Sequence, residues 1–205
     1  MKLPKSLLLV GAMFLIGTAL GVRLVMAEQT LEQPGYTVEK VDGNYEYRAY
    51  QPYLVAEVTV DGDRSQAANR GFQILAGYIF GGNRSRLAPQ QSEKISMTSP
   101  VTQQPESKGG WKVRFMMPKK FSLETLPVAQ DQRIRFLSTE PERYVTLRFS
   151  GGWDDENLAR HRLQLQQYAS AKQLAVKGEP IYAFYNAPFV PTGLRRNEVL
   201  LRLKT

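Results

Sequence analysis

The stretch Lys94-Ile-Ser-Met-Thr-Ser-Pro-Val101 decides how the chain is read. Ile95, Met97, Ser99 and Val101 share one face at a spacing of two, and Lys94, Ser96 and Thr98 share the other. That is the pattern of a half-buried strand. Pro100 has no N–H to give to a ladder, which puts the strand at an edge or ends it there. Taken alone, the string predicts a strand and no chemistry.

Working outward, Tyr53–Val60 and Trp111–Met117 alternate in the same way. Between them, Arg64–Phe80 carries Ala68, Phe72, Leu75, Ala76 and Ile79 at helical spacing. Asp63 is placed to cap this helix and Gly81-Gly82 to stop it. Ile74 and Tyr78 widen the apolar stripe beyond half the circumference. Such a helix either packs between layers or forms the wall of a ligand groove. On the N-terminal side, Tyr36–Val41 and Tyr45–Tyr50 form a hairpin around Asp42-Gly43-Asn44. On the C-terminal side, Arg133–Ser138 and Tyr144–Phe149 are strands. A second helix runs from Asp154 or Asp155 to about Gln173, Lys177-Gly178 turns the chain, and Ile181–Tyr185 and Asn197–Leu203 complete the sheet. The order strand–helix–strand–strand from Tyr53 to Met117 returns from Tyr144 to Leu203. The class is α+β, with two βαββ repeats able to pair their sheets about a pseudo-twofold axis and a long helix outside each.

The 205 residues are 42% hydrophobic, enough for a packed core. The 27 Lys+Arg against 19 Asp+Glu leave a net charge of +8, with no basic run of five or more. This favours anionic ligands or membrane surfaces and argues against nucleic acid. The absence of cysteine excludes disulfides, thiolate ligation of haem, iron–sulfur clusters and cysteine nucleophiles. Lys2 and Lys5 precede an apolar run from Leu7 to Val22, and Val25-Met26-Ala27 resembles a cleavage site. Residues 1–27 are therefore a signal peptide or an uncleaved N-terminal membrane anchor, the latter through residues 7–22. In both cases the domain is exported across the inner membrane, facing the periplasm. Residues 28–35 are a polar linker, and 36–205 form the domain.

His161 is the one histidine. It shares the apolar side of the second helix with Leu158, Leu165 and Tyr168, which makes it a core or boundary residue first and an axial ligand only as an alternative. One histidine without cysteine builds neither a usual zinc site nor a nucleophilic triad with a spare base. Asp154-Asp155-Glu156 fits an acidic helix start. Gly81-Gly82 and Gly151-Gly152 lack the pattern of a phosphate loop. No acid–base constellation assembles, so the residues describe a binding domain with no catalytic or metal residues.

Several pieces in order resemble the SOUL haem-binding family. They are Tyr45-Glu-Tyr-Arg-Ala-Tyr50, Gly71-Phe72 with Tyr78-Ile79, Lys94–Val101, Met117-Pro118 through Leu126-Pro127, Phe149-Ser-Gly-Gly152, and Tyr185-Asn-Ala-Pro188 through Leu194-Arg-Arg-Asn-Glu-Val199. The resemblance implies a distorted antiparallel β-barrel of two βαββ repeats flanked by two long helices, also similar to the effector-binding domains of some transcription regulators. It implies non-covalent binding of haem or another tetrapyrrole in a shallow apolar groove along the first helix, for buffering or transport. Carried over, the groove positions fall on Asn69, Phe72, Ala76, Gly77 and Val190, with Arg70 and Gln73 beside them. Phe72 and Ala76 keep the apolar character, whereas Asn69, Gly77 and Val190 lack the family's cations, for which Arg70 could substitute. A binding module for another amphipathic small molecule is the alternative reading, and a tetrapyrrole-modifying enzyme a further one. Arg195, Arg196, Asn197 and Glu198 are expected to tie a loop to the last strand.

Overall fold

Strand formation follows the alternation closely. In the computed structural model, which describes residues 31–204, the hairpin is β1 (Tyr36–Asp42) and β2 (Tyr45–Tyr50), and β3 is Leu54–Val60. Helix α1 spans Arg64–Ile79, and the Asp63 carboxylate accepts from the Gln66 N–H at its start. Strands β4 (Asn83–Arg84), β5 (Val101–Pro105), β6 (Trp111–Met116), β7 (Val128–Ala129), β8 (Arg135–Ser138) and β9 (Glu142–Phe149) follow. Helix α2 is Asp155–Ala171, capped by Asp154, and β10 (Val176–Phe184) and β11 (Asn197–Leu203) close the chain. The predicted signal or anchor at 1–27 and the first residues of the linker lie outside the described residues. No helix among the described residues is long and apolar enough to cross a membrane.

Among the described residues, nine strands form one antiparallel sheet in the order β1-β2-β9-β11-β10-β5-β6-β3-β8. The α+β class is as predicted, but the barrel is not closed: β1 and β8 end the order without a ladder between them. β8 is only four residues long, and β1 carries a run of exposed positions, so both edges are kept short or polar rather than paired.

Both helices lie on one face of this sheet. Leu75, Tyr78 and Ile79 of α1 pack on Ala56, Val58, Val113 and Phe115, while Leu158, Leu165 and Ala169 of α2 pack on Val145, Leu147, Val199 and Leu201. The faces match where the halves meet. Val101 lies beside the α1 cluster and pairs directly with Phe184 of the α2 cluster, and directly paired residues share a face. Arg64 ties the helix starts together, with its Nε 2.5 Å from an Asp155 carboxylate oxygen. Gly71 lets α1 approach β6, since a Cβ there would meet the Val113 side chain at 2.5 Å.

Two strand assignments differ from the sequence reading. Lys94–Pro100 makes no ladder, only an isolated bridge of Thr98 with Glu32; β5 begins at Val101. Its donors go elsewhere: the Ile95 N–H to the Ile79 carbonyl at the end of α1, the Ser99 N–H to the Glu32 carbonyl, and the Thr98 hydroxyl to the Met116 carbonyl. Met97 is accordingly 52% exposed rather than buried with Ile95. Lys177-Gly178 is not a turn but part of β10, where Val176 and Lys177 still pair with Leu203 and Arg202. The register shifts before Ile181, with Gly178 at φ +70° supplying the left-handed position of the irregularity.

Candidate functional site

Two regions present chemistry to solvent. The first is the outward face of α1. Asn69, Arg70, Phe72, Gln73 and Gly77 are exposed there, and Ala76 is half-buried against the core. Phe72 is 46% exposed, and its ring stands edge-on to the buried Phe115 at a centroid distance of 5.3 Å. The inner ring therefore fixes the outer one as a firm apolar platform. Arg70 makes no ion pair among the described residues. Helix geometry thus brings six of the seven predicted groove residues to one surface. Val190 does not join them there: it is buried in the loop between β10 and β11, and its carbonyl accepts from Arg195 Nε at 2.8 Å.

His161 sits on α2 with its ring stacked on Phe149 at 4.0 Å, and Nδ1 lies 2.8 Å from the Asn157 carbonyl. The carbonyl can only accept, so Nδ1 carries the proton. Among the described residues no group of three or more His, Asp or Glu is placed to hold a metal ion.

The second region is the sheet face turned away from the helices. Alternation sends Val55 of β3, Arg114 and Met116 of β6, Tyr144 of β9, Ala183 of β10 and Leu200 and Arg202 of β11 to this side, where they line a cavity of about 230 Å³. Tyr36 from one edge strand and Leu137 from the other line it too, so the sheet wraps although its ladder stays open. Tyr50 is the hub of an aromatic cluster here, 4.9 Å from Tyr36, 5.5 Å from Tyr144 and 6.5 Å from Tyr53. Burial raises the Tyr50 and Tyr144 phenols above their ordinary range and pushes Tyr53 up to about 12, with Arg114 and Arg202 pulling Tyr53 partly back. All three remain hydroxyl donors at neutral pH.

Beside this cluster lies the most buried charge of the domain. Glu198 is fully buried, bonded by Arg48 Nη1 at 2.7 Å and Nη2 at 3.1 Å, by Arg196 Nη2 at 2.8 Å, and by the Tyr185 hydroxyl at 2.9 Å. Burial would raise its carboxyl, but Arg48 and Arg196 outweigh that and hold it below the usual range. The Arg48 guanidinium lies 4.5 Å over the Tyr36 ring, and that of Arg196 3.7 Å over Tyr185. Asn197 accepts from Trp153 Nε1 and donates to the Gly151 carbonyl. Arg195 reaches the Val190 and Pro188 carbonyls. The Arg195–Glu198 motif thus ties loop to strand as expected. The tyrosine-lined face was not anticipated. Its signal was the aromatic content of both phases of the strands, with Tyr50 and Tyr144 opposite in phase to the helix-facing residues.

Fold and cavity together define an α+β domain in which a wrapped antiparallel sheet bears two helices on its outer side. The C-terminal domain of EcmrR has the same fold, with a TM-score of 0.61 at 11% identity over 83% of this chain and 98% of that one. So does a hydrolase from Listeria innocua, with a TM-score of 0.56 at 11% identity over 81% of this chain and 94% of that one. At these identities the likeness is one of fold alone. No curated protein matches the chain. The chain belongs to the family described as SOUL heme-binding protein, which its residues 31–202 match.

Proposed function

We propose that this protein binds haem or a related tetrapyrrole without covalent attachment, along the exposed face of α1, and serves in haem buffering or transport after export. Phe72 carries this reading: a half-exposed ring, braced from below by Phe115, in a chain of a haem-binding family. The macrocycle lies on Phe72 and the neighbouring Ala76, and Arg70, which has no carboxylate partner among the described residues, meets a propionate. No residue of this face is an axial ligand of the usual kind, so His161, which lies on the other helix, stays uninvolved. The order β3–α1–β5–β6, repeated as β9–α2–β10–β11, supports reading the domain as two βαββ repeats with the ligand on the first.

Hemin titrated into the full-length protein should give a saturable one-to-one change in the Soret band. Phe72→Asp should weaken it at least tenfold. Arg70→Glu should cost a further factor of roughly ten, the worth of one charge-assisted hydrogen bond. Absence of saturation at micromolar protein would remove the proposal. The neutral Asn69 and Gly77 favour a second reading, in which the same face takes an amphipathic ligand with a single anionic group. A fatty acid displacing hemin one for one would select it.

A further inference from the structure

The cavity on the helix-free face of the sheet is separate from the α1 surface, and its lining has a chemistry of its own. Its volume of about 230 Å³ exceeds the roughly 150 Å³ that holds a benzene ring. It falls below the roughly 300–1,000 Å³ of drug-sized pockets, so a tetrapyrrole is too large for it. Tyr50 packs edge-on against Tyr144 at 5.5 Å and tilted against Tyr53 at 6.5 Å, so the three rings form one aromatic wall of the cavity against which a planar guest can lie.

The charges are arranged unevenly. Arg114 and Arg202 both line the cavity, and each meets its own carboxylate through Nε alone: Glu57 at 2.6 Å and Glu142 at 3.2 Å. Among the described residues their Nη atoms make no hydrogen bond to a carboxylate, although the Arg202 side chain is also hydrogen-bonded to the Tyr144 hydroxyl. The acids offer less. Glu57 is already held by Arg135 as well as Arg114, Glu198 by Arg48 and Arg196, and Glu142 lies within reach of both Arg202 and Lys177. Glu140 stands exposed at the rim, where water screens it. A guest cation would find every inner carboxylate taken, whereas a guest carboxylate would find two guanidiniums whose Nη donors are not spent on an acid.

We propose that this cavity is a second binding site, which takes a small planar aromatic acid of one or two rings, its ring against the wall formed by Tyr50, Tyr53 and Tyr144 and its carboxylate on Arg114 and Arg202. The site does not rest on the α1 reading, and the two are titrated separately, so loss of a hemin signal has no bearing on it.

The test uses the full-length protein, 2-naphthoate as probe and 1-naphthylmethylammonium as its cationic counterpart, followed by calorimetry. The naphthoate should bind saturably, and the ammonium at least tenfold more weakly. Arg202→Gln should cost roughly tenfold, the worth of a charge-assisted bond, and Ala183→Phe should abolish binding by filling the space. Should Ala183→Phe fail to fold, ring-labelled tyrosine NMR of the unaltered protein decides. The Tyr50, Tyr53 and Tyr144 signals should shift on titration, while Tyr45 of β2 and Tyr168 of α2, stacked on each other on the helix-bearing side, stay in place. No saturation with naphthoate, equal affinity for the two probes, or shifts confined to Tyr45 and Tyr168 would each overturn the assignment.

Discussion

Glu198→Gln is the perturbation that most directly examines the buried charge network. The side chain is fully buried and accepts from two guanidiniums and one phenol. Gln keeps the shape but withdraws the negative charge, and whichever way the amide is turned its hydrogens point at a guanidinium of Arg48, which can only donate. Among the described residues Arg48, with 2% of its side chain exposed, then keeps only Glu46 as a counter-ion, and that carboxylate is 36% exposed. Removing one partner of a buried pair costs about 3–5 kcal/mol, because the remaining charge is left dry. For a domain of this size that lowers Tm by about 6–20 °C, at roughly 2–4 °C per kcal/mol. The pH dependence has a definite sign. The Glu198 carboxyl is held below its ordinary value by Arg48 and Arg196 despite burial. Its stabilising contribution is therefore complete above the unfolded value of about 4.3 and is lost as pH falls through the lower, folded value. Urea unfolding of both proteins should show a gap that is constant near neutrality and narrows in acid. The exposed pair Arg143–Glu39 serves as the control, because Glu39→Gln should leave the midpoint nearly unmoved. A Glu198→Gln protein within about 1 kcal/mol of the parent at pH 7 would refute the reasoning, since it would mean the two arginines are well solvated without their acid.

Two glycines of α1 should respond in opposite directions. Gly71→Ala drives a Cβ to 2.5 Å from Val113, and overpacking of this kind lowers stability by about 1–3 kcal/mol. Gly77→Ala has open space around it and should raise stability by about 0.5–1 kcal/mol through helix propensity; urea midpoints that move together would contradict the packing. His161→Ala should leave the hemin Soret spectrum and affinity unchanged, because the ring is engaged with Phe149 and Asn157 on the other helix. Loss of the Soret shift in that variant would instead make the histidine an axial ligand.

Element types were legible because burial on one face imposes a period, and the period is written in the residues. Ala56 and Val58 alternate out of phase with Val55 and Glu57, and the helix stripe from Ala68 to Ile79 repeats at its own spacing. Caps were legible for the same local reason: Asp63 and Asp154 each accept a backbone N–H three residues on. Lys94–Pro100 shows where local pattern fails. Its alternation put Met97 on the face of Ile95 and Ser99, yet Met97 is exposed while the other two are buried, because the two-residue period holds only for a segment that joins a ladder, and joining depends on what lies beside it. Here the Ile95 and Ser99 donors meet the end of α1 and Glu32 instead. The Arg195–Glu198 motif was readable as a tie, but its partner Arg48 lies 150 positions away, a distance no local pattern spans.

The tyrosine-lined face was hidden for a different reason. A strand's alternation announces that two faces exist and which side chains go to each, but it does not say whether the second face meets solvent or encloses space. That depends on how far nine twisted strands wrap, a property of the whole sheet. Tyr36 and Leu137 stand at opposite edges of the ladder and still border one cavity, so the wrapping nearly brings the edges together without a hydrogen bond between them. An apolar second phase is the trace this leaves in sequence. Strands with a solvated second face carry charge there, as β1 does, whereas Tyr50, Val55, Met116, Tyr144 and Ile181 could not have been placed on water without cost. Read in this way, the aromatic excess of the second phase is evidence for enclosed volume on that side. Phe72 and the cavity tyrosines then belong to two surfaces that the same sheet keeps apart.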